Sequence, residues 1–122
     1  MKDVSKFVGK TRYSIDDLVE ILKILRSPEG CPWDREQDHK SIRRDFLEEC
    51  YEAIDTDDTA LLREELGDVL LQVVFHSEIE CERGHFDFAD VVSDIAEKMV
   101  VRHPHVFADG CAKHFKAQPH RG

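Results

Sequence analysis

Apolar residues recur at helical spacing in four segments of this chain, and nowhere do they alternate as a strand would require. Ile15, Leu18, Val19, Leu22 and Leu25 form a stripe over residues 14–26. Ser14 is placed to cap that helix, and Asp16 and Asp17 fall in a first turn where the helix dipole favours negative charge. The run Ser27-Pro28-Glu29-Gly30 stops it. A loop over 30–37 follows and carries Trp33. The second helix, 41–54, sorts cleanly: Asp45, Glu48, Glu49 and Glu52 on one side, and Phe46, Leu47, Cys50, Tyr51 and Ile54 on the other, expected inward, side. A short linker, 55–58, returns the chain antiparallel. The third helix, 59–83, is apolar nearly all round over Val69-Leu70-Leu71-Gln72-Val73-Val74-Phe75, which predicts a central, buried rod. Gly84 is its expected C-cap. The fourth runs from 87 or 88 to 102 with Val91, Val92, Ile95, Ala96 and Met99 inward, and Pro104 ends it. The pattern predicts an all-α fold: a four-helix bundle over 14–107, an N-terminal extension over 1–13, and an irregular polar tail over 108–122.

A chain of 122 residues is most simply one domain with a modest core. Its 26 acidic residues against 17 basic ones give a net charge of -9, which disfavours nucleic acid polymers as partners. No segment approaches the roughly 20 apolar residues of a membrane span, and the N-terminus lacks the apolar run of a signal peptide, so the expected location is cytoplasmic. Cys31, Cys50, Cys81 and Cys111 are scattered without a Cys-x-x-Cys pair, which argues against zinc and against a disulfide framework. The all-round apolarity of the third helix is more than this small bundle can cover, so self-association, as a homodimer or higher oligomer, is expected.

The chemistry lies in two pairs of acids. Glu49 and Glu52 are three apart on the second helix, and Glu65 and Asp68 are three apart on the third. Each pair shares a helix face, and antiparallel packing would aim all four at one point. Carboxylates beside a core are costly unless a cation is shared among them. Hard oxygen donors select Mg2+, with Mn2+ as a substitute. A di-iron site would need Glu-x-x-His on two helices; the spacing Glu36 to His39 is in or near the loop. His76 reads as a hydrogen-bonded core histidine. Lys98 and Arg102 share a face near the end of the fourth helix, and Arg63 precedes the second acid pair by a turn; these are the candidate phosphate cations. Trp33 is open between stacking on a base and plugging the bundle end.

These residues resemble the MazG family of nucleoside triphosphate pyrophosphohydrolases. Glu48-Glu49-Cys50-Tyr51-Glu52 followed by Glu65-Leu66-Gly67-Asp68 is similar to the family's Glu-Glu-x-x-Glu … Glu-x-x-Asp signature. Gly30-Cys31-Pro32-Trp33-Asp34-Arg35-Glu36-Gln37, Leu70-Leu71-Gln72-Val73-Val74-Phe75-His76 and Arg102-His103-Pro104-His105-Val106-Phe107 look like further family segments, in order and at compatible spacing. The resemblance implies Mg2+-dependent hydrolysis of a nucleoside triphosphate to monophosphate and pyrophosphate. It implies Glu49, Glu52, Glu65 and Asp68 as metal ligands, Lys98 and Arg102 as phosphate contacts, and oligomerisation that completes the bundle. Glu48 and Glu49 are the candidates for activating water. The chain departs from the family after Phe107, where a further helix with Trp and Lys is usual. That departure keeps a second expectation alongside the enzyme: a catalytically weak nucleotide- and Mg2+-binding or oligomerisation module.

Overall fold

The computed structural model describes residues 4–108, and all regular structure among them is helical. Six α-helices follow a single 3-10 turn at Ser5–Phe7: α1 (Ile15–Arg26), α2 (Pro32–Glu36), α3 (His39–Asp55), α4 (Thr59–Glu82), α5 (Phe88–Val101) and α6 (Pro104–Phe107). The chain divides into two compact units, residues 1–88 and 89–122. The expected tail over 108–122 lies outside the described residues apart from Ala108.

In the first unit, α1 is capped as its sequence dictates. The Ser14 hydroxyl accepts from Asp17 N–H (3.1 Å), and the Asp17 carboxylate accepts from Ser14 N–H (2.9 Å). Helix α3 starts earlier than expected. Asp38 is its N-cap, and Ser41 is the reciprocal partner three residues on. Asp58 caps α4 by accepting from Ala60 and Leu61 N–H. Beyond α4, Gly84 takes a φ of 77°, a left-handed conformation in which a side chain would be strained. The expected loop over 30–37 contains the short helix α2, too brief to show a period and started by Pro32.

The core gathers Leu22 of α1, Ile42 of α3, and Val74, Phe75 and Ile79 of α4, with Leu18, Val19, Leu25, Leu71 and Phe88 packed against it. It therefore sits against the C-terminal half of α4. Of the apolar run 69–75, Val74 and Phe75 are buried and only Leu70 is exposed, whereas Leu61 and Leu66, earlier on α4, are exposed. The reason is coverage, since α1 lies along the later turns only, where all the core residues of α4 fall.

The inward face of α3 also differs from expectation. Ile42, Phe46, Glu49 and Ala53 turn inward, at a helical spacing of three to four residues. Leu47, Tyr51 and Ile54 are 71%, 76% and 86% exposed. The acid side of α3 does not turn inward as a whole: Glu49 is half-buried, whereas Asp45, Glu48 and Glu52 are exposed.

Residues 4–13 fold back on α1. Tyr13 Oη donates to Phe7 O (2.5 Å), and Lys6 and Lys10 pair with Glu20 and Asp17. In the second unit, α5 ends with Arg102 N–H donating to Lys98 O (3.0 Å), and the His103 imidazole hydrogen-bonds through Nδ1 to Met99 O (2.6 Å) ahead of Pro104 and α6.

Candidate metal and nucleotide site

Antiparallel pairing of α3 with α4 sets Glu49 and Glu52 against Glu65 and Asp68. One carboxylate oxygen each from Glu49, Glu65 and Asp68 lies within 4.8 Å of the others, and all three side chains are half-buried. Two oxygens, Glu49 Oε2 and Glu65 Oε2, are fully buried and have no hydrogen-bond donor. Such orphaned acceptors are costly, and a divalent cation relieves that cost directly. The donor set is all carboxylate oxygen, which suits a hard cation.

The electrostatics point the same way. The Glu49 carboxyl group set against Glu65 raises the Glu65 pKa above the ordinary glutamate value, with burial and the Glu49 charge adding to the effect. Glu52 is raised too, chiefly by the charge of Glu65, then by burial, with Glu48 and Asp68 contributing. Glu52 is thus a neighbour of the cluster, although it is outside the mutually close set of three.

Other expected site residues stand elsewhere. Glu48 is exposed and pairs with Arg44 (3.4 Å) one turn back on α3. Arg63 is exposed on α4, early in the helix. Lys98 falls in the last turn of α5 and Arg102 follows it, both in the second unit, one helical turn apart. Trp33 is no core plug. Its side chain is 64% exposed on α2. The segment beneath it is held firmly: Arg26 Nη1 donates to Asp34 O (2.7 Å) and Gln37 O (3.0 Å), and the rest of the Arg26 guanidinium grips Glu82 through Nε (2.6 Å) and Nη2 (3.0 Å).

Sequence reasoning passed over Gln72. Its Oε1 is buried and unpartnered, and it lies one turn beyond Asp68 on α4. The i, i+4 relation to Asp68 is the signal that marks it. His76 is hydrogen-bonded, as read, with His39 as its partner (2.7 Å).

A half-buried acid cluster lies between the two helices of the hairpin in this all-α protein. The sequence model of the MazG nucleotide pyrophosphohydrolase domain matches residues 37–107, and this chain belongs to the MazG family. It is 52% identical over 104 residues to the nucleoside triphosphate pyrophosphohydrolase/pyrophosphatase MazG of Thermotoga maritima, covering 83% of this chain and 41% of that protein. It is 50% identical over 103 residues to the nucleoside triphosphate pyrophosphohydrolase of Escherichia coli K12, covering 81% of this chain and 39% of that one. A third relative, the uncharacterized protein YabN of Bacillus subtilis, is 54% identical over 92 residues, 73% of this chain and 19% of its own length. The chain thus spans about two fifths of the first and second of these relatives.

Proposed function

We propose that this chain hydrolyses nucleoside triphosphates to the monophosphate and pyrophosphate, using Mg2+ (or Mn2+) held by Glu49, Glu65 and Asp68 with Glu52 beside them. The observation that carries the reading is the convergence of three half-buried carboxylates with two donorless oxygens among them. When bound, the cation would supply charge neutralisation and Lewis acidity at the phosphates. Glu48, the first acid of the motif, is the proposed acceptor of the proton from the attacking water, with Glu49 the other candidate. The water oxygen bonds to the α-phosphorus as the bond from that phosphorus to the pyrophosphate oxygen breaks. Lys98, Arg102 and Arg63 are proposed to offset charge on the phosphates. The exposed indole of Trp33, on a segment fixed by Arg26, is proposed to stack on the base.

The protein is further proposed to be cytoplasmic. No helix among the described residues is long and apolar enough to cross a membrane. Self-association through α3 is proposed because Leu47, Tyr51 and Ile54 form an i, i+4, i+7 apolar stripe that this protomer leaves uncovered.

The test is to incubate the purified chain with Mg2+ and a panel of nucleoside triphosphates and assay pyrophosphate. Release from at least one substrate is expected. Pyrophosphate from none would overturn the enzymatic reading in favour of a nucleotide-binding or oligomerising module.

A further inference from the structure

Outside the acid cluster, the densest group of titratable side chains lies at the other end of the α3–α4 pair. His39 opens α3, and His76 and Glu80 are one turn apart on α4. His39 Nδ1 meets His76 Nδ1 at 2.7 Å, and the two rings lie edge to edge, with centroids 5.0 Å apart and planes within 12° of each other. Phe46 lies against His76 (5.5 Å between centroids). The other edge of His39, Nε2, bonds the Glu80 carboxylate. Glu80 also takes His85 Nδ1 (2.6 Å) and Arg83 Nη1 (3.0 Å).

The proton count follows from the chemistry of imidazole. Hydrogen bonds from His39, His85 and Arg83 hold the Glu80 pKa down at about 2, so Glu80 is an acceptor only, and His39 Nε2 carries a hydrogen. The gap between the two Nδ1 atoms then holds one hydrogen. With both rings neutral, His76 donates to His39. With one added proton, His39 is the cation and donates to both His76 and Glu80. A second added proton sets N–H against N–H at a distance of 2.7 Å and charge against charge in adjoining rings. Burial, and then the His39 charge, lower the His76 pKa accordingly.

We infer that His39, His76 and Glu80 form a one-proton brace that positions α3 on α4, and with it the acid cluster, and that opens when both imidazoles are protonated. Charged groups near this end are engaged elsewhere, although Glu78 keeps one buried oxygen without a donor. Glu78 holds Lys23 (2.8 Å) and Glu82 holds Arg26, both across to α1. Asp38 accepts from Ser41 N–H (2.8 Å) at the start of α3, and Arg83 adds its charge nearby. The brace stands on its own geometry, whereas its effect on cation binding rests on the function proposed above.

Histidine-ring nitrogen NMR of the whole chain tests the count. His76 is expected to titrate below the ordinary 6.5, with faster amide exchange over 39–46 as it does. Titration at or above 6.5 overturns the brace. His76→Phe keeps an aromatic ring at the site and removes the second basic site. Between about pH 7 and pH 5, its thermal midpoint should fall by half or less of the wild-type fall. An equal fall overturns the brace. Glu80→Gln gives a second variant: without the carboxylate, the pair should take up its first proton at lower pH, and an unchanged titration overturns the assignment. Mg2+ calorimetry at the same two pH values separates the two readings. Wild-type affinity should fall about 3-fold further than that of His76→Phe. Equal falls would overturn the positioning of the cluster, while no Mg2+ binding by any variant would overturn the cation reading and leave the brace to be judged by NMR and melting.

Discussion

Glu49 and Glu65 face each other across the α3–α4 pair, each with a buried oxygen that no donor reaches. Two like charges in that position work against the fold until something positive lies between them. The raised Glu65 pKa expresses this: Glu49 and burial favour the protonated form. Where the folded pKa lies above the unfolded one, the folded state binds more protons over that window, and stability falls as pH rises through it. The metal-free protein at neutral pH therefore carries the full penalty. Glu65→Gln should raise its melting temperature there and flatten the decline above the ordinary glutamate range. Saturating Mg2+ should stabilise the parent by about 2.7 kcal/mol at a hundredfold excess over Kd, and the variant by much less. Calorimetric melts with and without the cation read both effects.

The hairpin itself was legible from periodicity. Linker length gave its antiparallel sense, and the i, i+3 spacing of Glu49 with Glu52 and Glu65 with Asp68 marked the acids. The orientation of α3 was not legible. Leu47, Tyr51 and Ile54 look like a core face because hydrophobicity is normally buried, but here the face that meets α4 is Ile42, Phe46, Glu49 and Ala53. Turning Glu49 inward fits the proposed cation site. Helix α2 escaped because five residues cannot show a 3.6-residue period. Helix α3 begins ahead of residue 41 because Asp38 caps it, with Ser41 as the reciprocal partner. The His39–His76–Glu80 group joins residues distant in sequence, and no local spacing announces it.

Asp68 contributes one of the three close oxygens. Its removal leaves two glutamates that cannot hold a divalent cation in the same shell. Asp68→Ala should lower turnover by about 10³-fold or more, equivalent to about 4 kcal/mol in the barrier. A mere rise in KM, with kcat preserved, would show that Asp68 is not a metal ligand in turnover. Steady-state pyrophosphate release at saturating nucleotide makes the distinction.

Arg26 is 7% exposed and spends its donors on Glu82 and on two backbone carbonyls beneath Trp33. It also lies over the Phe75 ring, 5.1 Å from its centroid. Truncation would leave Asp34 O and Gln37 O without that donor and break the grip on Glu82. Arg26→Ala should cost about 3 kcal/mol, and Arg26→Lys should recover only part, because an ammonium cannot span the planar fork. Urea titration measures the loss. Fluorescence of the single Trp should report loosening of α2 before the global transition.

Gly30 closes the turn between α1 and α2 at very short range. A Cβ there would lie 2.1 Å from Ile24 O and 2.5 Å from Leu25 O. Both are backbone atoms, and Cys31 N–H donates to the same Leu25 carbonyl (2.8 Å). Gly30→Ala must therefore push the loop off the helix end. A loss of about 2–3 kcal/mol is expected from the overpacking. Gly67 provides the control, since a Cβ there meets nothing within 4 Å. Gly67→Ala should be neutral or slightly stabilising through its helix propensity. Paired denaturation curves compare the two.

The uncovered stripe on α3 gives the last prediction. Leu47, Tyr51 and Ile54 lie on successive turns and are among the most exposed large apolar residues of the chain. Leaving such a stripe in water forgoes about 25 cal/mol per Å² of burial, so a second copy is the economical cover. The side of α3 that bears them is opposite the one that packs on α4, so charges placed there should leave the acid cluster intact. Leu47→Glu combined with Ile54→Lys should weaken self-association at least about 100-fold, since each deletes a buried anchor and installs a desolvated charge. Sedimentation velocity over a concentration series measures the shift. Mg2+ binding in the same variant tells which role the interface serves: if affinity survives in the monomer, α3 and α4 of one protomer suffice to hold the cation, and if it is lost, the partner's helices are needed to keep the pair in register.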